Sequence, residues 1–287
     1  MILTKPIISL FDRNFDHNTI FNNRLSIRAF PDGFSFSVKN LEESRYVGFE
    51  YYQFDKKNGQ GSLAVDLLKE ITVQKQWLKE RFGEVVWVCT EADNIFCPKA
   101  LNMSENELKH YMFNLELAPF RHLEKDDLNN LGVYNFFTVA SQVKNTLKEI
   151  WTDSKIDIQH FNSLLLYHLH VDFINRGSES MVYLHIDENH FDIFVFDQYR
   201  FKMYNQFQFK TAEDFIYFLM NVYHQLNLKP EHVGVTFLGK IERQSDLYRK
   251  TYRYVRNLSF IRLASNMKLS YIFDQLSEHR YYSFFCG

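Results

Sequence analysis

Apolar and polar residues alternate with a period of two along the stretch from Met181 to Phe209. That period is the spacing of β-strands, in which successive side chains point to opposite faces of a sheet. Polar turns at residues 187–190 and 197–199 interrupt the alternation, and turns this short join antiparallel neighbours. The pattern therefore predicts a three-stranded antiparallel meander.

A pattern with helical spacing follows this meander. Apolar residues recur at helical intervals from Thr211, a good N-cap, to Asn227. Buried strands are predicted at residues 233–238 and 258–263, with an amphipathic helix at 244–255 between them. The latter part of the chain is thus predicted to form a βββαβαβ unit.

The earlier part of the chain repeats this order of elements. Strands are predicted at residues 24–30, 34–38 and 46–54, followed by an amphipathic helix at 63–82 and a buried strand at 85–89. The order βββαβ therefore occurs twice, at an offset of roughly 150 residues. A duplication explains the repetition, and each copy is predicted to be one lobe.

Residues from about 91 to 130 interrupt the first copy and are predicted to form an inserted subdomain. It contains a short strand at 94–100, a helix from Ser104 to Leu117 and an ambiguous stretch at 120–128. Four predicted elements then complete the first copy: a strand at 133–140, a helix at 142–151 capped by Ser141, a strand at 156–159 and a helix at 163–175 capped by Asn162.

The boundary between the two lobes is predicted at a polar, glycine-containing linker that begins at Arg176. Such linkers carry few contacts and commonly separate compact units. The predicted lobes are therefore residues 1–176, which include the inserted subdomain, and residues 177–287.

Composition and charge limit the kinds of protein that this chain can be. Hydrophobic residues make up 46% of it and aromatic residues 17%, which is typical of a globular protein with a large core. Lys and Arg number 33 against 35 Asp and Glu, and no window collects the basic cluster that phosphate-backbone binding requires. We therefore expect no nucleic acid partner.

The sequence also predicts where the protein works. The first residues are interrupted by Asp12 and Arg13 too soon to form a signal peptide, and no apolar run approaches the roughly 18 residues of a membrane span. The three cysteines are odd in number and lack CxxC spacing, which fits a reducing compartment. We expect a cytoplasmic protein without direct membrane insertion.

Two units of this order resemble the actin-like ATPase fold, a ribonuclease H-like α/β fold shared by actin, sugar kinases and Hsp70 chaperones. The insertion after the fourth strand, then FFTVASQVKNTLKEI and LHIDENHFDIFVFDQYRFKM, is similar to PilM-type pilus assembly proteins and FtsA. The chain also resembles an uncharacterised bacterial family assigned to this fold. The resemblance implies duplicated actin-like βββαβαβ lobes with a cleft between them and an insertion in the first lobe.

The resemblance also implies a phosphate loop in the first hairpin of each lobe, formed by an Asp followed by Gly and then Ser or Thr. In this chain Ser26 falls at the Asp position and Arg28 at the Gly position of the first loop. In the second loop His185 falls at the Asp position and Asp187 at the Gly position. Side chains at the glycine positions would occupy the volume that a phosphate needs, and Asp187 would repel it.

The adenosine loop of the family, a hydrophobic strand that ends in two glycines, corresponds to residues 235–240. One glycine, Gly239, remains, and it has the alternative role of simply ending the strand. If a nucleotide binds, the resemblance places it against Asp187, Asn189, Gly239 and Lys240. No P-loop, GxGxxG or GxSxG motif occurs in the chain.

Other side chains suggest chemistry less specifically. His185, Asp187, His190 and Asp192 lie within eight residues and include potential metal ligands, but we interpret them as an exposed polar hairpin tip. A two-metal nuclease needs several converging acidic side chains. Only Asp187 and Asp192 are candidates here, so the sequence does not favour a nuclease. Aromatic residues on the third strand of each meander are predicted to fill the sheet core or, on the outward face, to form a binding patch.

The sequence therefore predicts a non-catalytic binding or assembly protein with degenerate nucleotide motifs, acting with a protein partner or by self-association. No catalytic residue, metal or cofactor is predicted. The alternative is an ATP-dependent phosphotransferase or ATPase with atypical phosphate loops, which would use ATP and magnesium at the residues named above. Fold alone does not decide between the two.

Overall fold

The computed structural model describes residues 5–30, 33–53, 63–90, 94–103, 107, 121–263 and 267–287. The stretch 54–62, which joins the third predicted strand to the helix predicted at 63–82, and the predicted helix at 104–117, apart from Glu107, lie outside the described residues. The chain divides into two compact units: the first is Met1–Leu164, Met267–Asp274 and Gly287, and the second is Leu165–Asn266 and Gln275–Cys286. This division falls after Leu164, whereas the sequence placed a lobe boundary after Arg176.

The main sheet of the first unit contains the predicted meander and two parallel strands beside it. Its strands are β1 (Ile8–Phe11), β2 (Asn23–Phe30), β3 (Gly33–Asn40), β4 (Arg45–Gln53), β5 (Glu84–Cys89), β9 (Lys155–His160) and β15 (Lys268–Leu269). The order is β1-β4-β3-β2-β5-β9, with β15 beside β4. Strands β2, β3 and β4 are antiparallel neighbours, whereas β2, β5 and β9 are parallel.

A second, three-stranded sheet in the first unit contains residues of the predicted insertion. Its strands are β6 (Asn94–Pro98), β7 (Arg121–Leu128) and β8 (Val133–Ala140), in the order β6-β8-β7. The stretch that was ambiguous in sequence is β7, because it pairs antiparallel with β8 along its whole length. Strand β6 ends at Pro98, two residues before the predicted end.

The second unit is built on one five-stranded sheet with the predicted topology. Its strands are β10 (Met181–Ile186), β11 (His190–Asp197), β12 (Arg200–Gln208), β13 (Gly234–Gly239) and β14 (Leu258–Phe260). The order is β12-β11-β10-β13-β14, antiparallel through β10 and parallel beyond it. The strands β4-β3-β2-β5-β9 of the first unit have the same order and directions, as the repeated sequence pattern predicts.

Helices connect these strands. They are α1 (Leu63–Gln74), α2 (Ser141–Ile150), α3 (Phe161–Arg176), α4 (Ala212–Gln225), α5 (Asp246–Thr251) and α6 (Glu278–Tyr281). Single 3-10 turns occur at His17–Asn22, Gln76–Lys79, Lys99–Leu101, Asn129–Leu131, Tyr271–Phe273 and Tyr282–Phe285.

The predicted helix caps are partly confirmed. Thr211 caps α4, and its side chain and that of Asp214 form a reciprocal capping box. The predictions for Ser141 and Asn162 are wrong, because both residues lie inside helices. Strand β8 passes directly into α2 with Ala140 at the N-cap, and α3 already begins at Phe161.

Each unit has its own hydrophobic core, and the aromatic residues of the meanders supply much of it. Tyr46, Phe49 and Tyr52 of β4 are at most 2% exposed and belong to the sheet core, whereas Tyr51 on the same strand is only partly buried. Phe191, Ile193 and Val195 of β11 are fully buried against α4 in the second unit, which includes Phe215 and Leu219. Burial of large apolar side chains is the main stabilising contribution in such sheets.

The C-terminal aromatic residues pack within the chain. Tyr282 and Phe285 are buried, and the Tyr282 hydroxyl donates a hydrogen bond to the carbonyl oxygen of His168 at 3.5 Å. The 3-10 turn Tyr282–Phe285 contacts β13 of the second unit. These C-terminal side chains therefore dock on the sheet of the second unit.

Candidate functional site

The hairpin between β10 and β11 meets the end of β13 at one edge of the second unit. The amide of Asp187 donates to the carbonyl oxygen of His190 at 3.0 Å and closes the turn. Strand β13 is the parallel neighbour of β10, with Gly239 opposite Ile186. The amide of Lys240 then donates to the carbonyl oxygen of Ile186 at 2.7 Å. This register brings Lys240 beside the hairpin turn.

Lys240 forms an ion pair across this junction. Its Nζ lies 2.8 Å from Oδ1 of Asp187 and 3.6 Å from Oε1 of Glu188, and the Lys240 and Asp187 side chains are about one-third exposed. Partial burial by itself would raise the pKa of Asp187, but the hydrogen bond and charge of Lys240 hold that pKa below its usual value. Asp187 is therefore a carboxylate at neutral pH, and its charge is neutralised by Lys240.

Gly239 has a conformational reason to be glycine. Its φ angle is +89°, in the left-handed region that other residues rarely adopt, and a Cβ atom there would overlap the carbonyl oxygen of Ile186. The close approach of the two strands thus accounts for this glycine without a ligand. Asn189 lies on the same hairpin, but its described contacts are with other residues: its carbonyl oxygen accepts from the Phe209 amide, and its Oδ1 lies 3.2 Å from His190 Nδ1.

Behind the turn, the buried carboxylate of Asp192 holds His185. The two residues are opposite each other on β10 and β11, and His185 Nδ1 lies 3.0 Å from Asp192 Oδ2. Asp192 Oδ1 also accepts hydrogen bonds from the Tyr204 hydroxyl and from Gln206 Nε2, each at 3.0 Å. Burial would raise the pKa of Asp192, but the hydrogen bond and charge of His185 and the hydrogen bond from Gln206 lower it below its usual value. Asp192 is therefore ionised, although it is only 2% exposed.

The two aspartates of this hairpin are each paired with a neighbouring side chain. Among the described residues, no group of three or more His, Cys, Asp or Glu side chains converges as metal ligands would. Asp187 is paired with Lys240, and Asp192 is paired with His185. Of the four residues predicted to form an exposed polar tip, His185 and Asp192 are buried, and Asp187 and His190 are only partly exposed.

In the first unit, both residues at the family's phosphate-loop positions lie within a strand. Ser26 and Arg28 belong to β2 and are only 6% and 7% exposed. The Arg28 guanidinium lies 4.5 Å from the centre of the Phe161 ring, a cation–π contact. Of the predicted turn that follows, Pro31 and Asp32 lie outside the described residues.

Sequence reasoning missed two partners of the site. Tyr204 was predicted only as one of the aromatic residues of the third strand and Gln206 was not singled out, yet both donate to the Asp192 carboxylate. Counting back from the second turn would place Asp192 opposite Asn205. A β-bulge between Val195 and Phe196 shifts the register by one residue and places Asp192 opposite Gln206, so the sequence pattern did not locate this contact.

A cavity in the inserted sheet was also missed. It has a volume of about 340 Å³ and is lined by Cys97, Met103, Leu123 and Phe136, among others. At its rim, the Nζ atoms of Lys99 and Lys125 lie 4.7 Å and 4.5 Å from the centre of the Tyr134 ring. The lining comes from β6, β7, β8 and the residues that follow β6, so no single local motif marks it.

Comparison with known proteins assigns the chain to a family. The sequence profile of the family described as "Protein of unknown function (DUF3822)" matches residues 12–258. The chain belongs to this family. A search of curated proteins found no match to this DUF3822 chain.

Solved structures similar to this DUF3822 protein share its fold. One is a Bacteroides thetaiotaomicron protein of unknown function with an actin-like ATPase fold, 19% identical, with a TM-score of 0.73 over 86% of this chain and 93% of that one. Another is the PilM-PilN type IV pilus biogenesis complex, 11% identical, with a TM-score of 0.61 over 91% of this chain and 96% of that one. Identities this low establish the fold alone. The predicted actin-like α/β fold and the resemblance to PilM are thereby confirmed.

No helix in the described part of the chain is both long and apolar enough to cross a membrane.

Proposed function

We propose that this DUF3822 protein is a non-catalytic binding or assembly component that uses an actin-like fold without turning over a nucleotide. The observation that carries the proposal is the ion pair between Lys240 and Asp187. It lies in the second-unit hairpin, where the actin-like resemblance places a phosphate loop and where Asp187 replaces the glycine.

The ion pair opposes phosphate binding for two reasons. A phosphate at the Asp187 position would meet a carboxylate, and like charges at such distances repel unless a cation intervenes. The nearest cation, Lys240, already contacts Asp187 and Glu188. A nucleotide would have to separate these groups before Lys240 could bind it.

The residue at the metal-directing position supports the same proposal. His185 stands where the resemblance places an Asp, and its imidazole is held by the buried carboxylate of Asp192. Imidazole is a poor ligand for magnesium, which prefers oxygen atoms. Asp192 in turn already accepts hydrogen bonds from Tyr204 and Gln206. A hydrated magnesium ion therefore lacks the carboxylate that would direct it.

A protein partner is the proposed ligand class. PilM, which has the same fold, has been solved in a complex with PilN. That complex supports the use of this fold for assembly, and we carry the same kind of role over to this chain as a proposal. The proposed location is the cytoplasm, because the three cysteines are free and buried, which suits a reducing compartment.

A thermal melt with millimolar magnesium and ATP, ADP or GTP tests the proposal. A ligand at about 100 times its dissociation constant adds roughly 2.7 kcal/mol to stability, and each kcal/mol raises the midpoint by about 2 to 4 °C in a chain of this size. We expect no nucleotide-specific shift. A shift that Lys240→Ala abolishes and the exposed control Lys229→Ala retains would replace the proposal with the ATP-dependent alternative.

A further inference from the structure

Strand β12 forms one edge of the sheet in the second unit. It is nine residues long and pairs with β11 on one side. On its other side, no strand among the described residues is hydrogen-bonded to it. A long edge strand with open backbone groups is a template for pairing with another extended chain.

The hydrogen-bond pattern shows which residues of β12 turn outward. The amide of Phe209 donates to the carbonyl oxygen of Asn189, so these two residues form a hydrogen-bonded pair at the start of the ladder. Such pairs alternate with non-bonded pairs along antiparallel strands. Gln208, opposite His190, and Gln206, opposite Asp192, are therefore non-bonded positions. Their backbone N–H and C=O groups point away from β11 towards the open edge.

Two positively charged side chains lie at the start of β12, at the opposite end from Gln206 and Gln208. Arg200 and Lys202 are both exposed, and neither forms an ion pair with any described residue. Asp197 lies opposite Arg200 in the register, but its carboxylate accepts a hydrogen bond from the Ser180 hydroxyl at 2.6 Å. The edge thus presents two cations whose charge is not balanced by the protein's own carboxylates within contact distance.

We propose that β12 binds an acidic extended segment of a partner protein, which adds to the sheet as a sixth strand. Backbone hydrogen bonds to β12 supply binding that is independent of the partner's sequence. Arg200 and Lys202 select carboxylates at the matching positions of the added strand, because opposite charges on neighbouring strands attract and like charges repel.

Charge also argues against a second copy of this chain at the same edge. In a symmetric antiparallel pair of β12 strands centred on Tyr204, Arg200 and Lys202 of each copy would face the neutral residues Gln208 and Gln206 of the other, so none of the four cations would meet a carboxylate. Charged residues on edge strands, lysine above all, commonly prevent such self-pairing. The same residues favour a strand of opposite charge, which is why the partner's chemistry is acidic.

This inference goes beyond the proposed function and does not depend on it. The edge of β12 is formed by residues other than Asp187 and Lys240. A failure of peptide binding would not change the result of the nucleotide melts. Nucleotide binding, if it were observed, would not exclude peptide binding at β12.

Fluorescence anisotropy with two labelled synthetic peptides tests the proposal. One peptide alternates glutamate and threonine over the length of β12, and the other alternates lysine and threonine; both have blocked ends. Threonine favours extended structure in both peptides, so the difference between them that matters is the sign of their charge. We expect the glutamate peptide to bind, with affinity that falls as salt is added, and the lysine peptide not to bind. Hydrogen exchange should slow at the amides of Gln206 and Gln208 when the glutamate peptide is bound.

Three variants locate the binding. Arg200→Glu combined with Lys202→Glu should weaken the glutamate peptide by about tenfold or more and allow the lysine peptide to bind. Arg253→Glu combined with Arg256→Glu makes the same charge change in the exposed loop before β14, at the other edge of the sheet, and should change neither affinity. Gln208→Pro removes an outward N–H without removing a bond to β11, and should weaken the glutamate peptide.

Several results would overturn the proposal. They are absence of binding by either peptide, equal binding of both, and an equal loss of affinity in the Arg253/Arg256 control. Light scattering could also show that the protein is a dimer and that Gln208→Pro breaks the dimer. That result would show that β12 binds a second copy of the chain instead of an acidic partner. Thermal melts of each variant establish that it is folded before its affinity is interpreted.

Discussion

Gly239 lies so close to Ile186 in the neighbouring strand that a Cβ on Gly239 would come well within 3.0 Å of the Ile186 carbonyl oxygen. This approach sets the end of β13 against the end of β10, and the amide of Lys240 completes the junction by donating to the same carbonyl group. The position of the Lys240–Asp187 ion pair therefore depends on a backbone contact that only glycine permits.

The first prediction concerns this contact. Gly239→Ala should lower the free energy of unfolding by about 3 kcal/mol or more, since it combines a positive φ angle with a steric overlap against backbone. Gly132→Ala is the matched control, because Gly132 also has a positive φ angle, +66°, but nothing lies within 4 Å of its Cβ position. We expect about 1 to 2 kcal/mol there. Urea denaturation measures both, and equal losses would show that the close approach carries no cost of its own.

The second prediction concerns the buried carboxylate of Asp192. Asp192→Ala leaves His185, Tyr204 and Gln206 without their acceptor and should cost about 3 to 5 kcal/mol. Asp197→Ala on the same strand removes one hydrogen bond, from Ser180, and should cost about 1 kcal/mol. Thermal or urea unfolding compares the two variants. Similar small losses would mean that the Asp192 cluster contributes little to the fold.

The pH dependence of the Asp192 contribution follows from the sign of its pKa shift. Its folded-state pKa is lowered, so its contribution to stability is present above the unfolded-state pKa of about 3.9 and is lost as pH falls through the folded-state value. The stability difference between the wild type and Asp192→Ala should therefore shrink only in acid below about pH 4. A difference that already shrinks between pH 5 and pH 7 would contradict the lowered pKa.

The third prediction concerns Asp126 in the inserted sheet, whose pKa burial raises to about 6. Because its unfolded-state pKa is about 3.9, the folded state binds the extra proton between those values, and stability falls as pH rises from about 4 to 6. Asp126→Asn should remove this part of the pH dependence and raise stability at pH 7. Its amide oxygen can still accept the hydrogen bond that Asp126 takes from the His160 amide.

Asp127→Asn is the control for that experiment. Asp127 is the next residue on β7, is exposed and is paired with Lys99. Midpoints of thermal unfolding at several pH values should therefore differ from the wild type in slope for Asp126→Asn and not for Asp127→Asn. A wild-type slope retained in Asp126→Asn would assign the pH dependence to other groups.

Local sequence patterns were sufficient to predict much of the fold. The period-two alternation located the meander of β10, β11 and β12, and Thr211 with Asp214 located the start of α4. These elements are long and strongly patterned, so neighbouring residues define them. Strands β1 and β15 were not predicted, because they have four and two residues and show no period. They form by pairing with β4, which is distant in sequence from both.

The candidate site was predicted in its residues but not in its contacts. Asp187, Gly239 and Lys240 were named from the family's loops, and the structure brings these three together. Their ion pair depends on the parallel register of β10 and β13, which are separated by two strands and a helix in the chain. Sequence periodicity specifies which face a side chain takes but not which distant strand lies beside it. Asn189 is on the same hairpin, but its described contacts are with His190 and Phe209 and not with these three residues.

Calorimetric titration of magnesium and ATP into the purified protein tests the central claim most directly, because it measures binding without relying on stability. We predict no saturable heat at millimolar nucleotide, with Asp187 and Lys240 remaining paired. Saturable binding of one nucleotide, lost in Lys240→Ala and retained in Lys229→Ala, would contradict the claim and make the hairpin a working phosphate site.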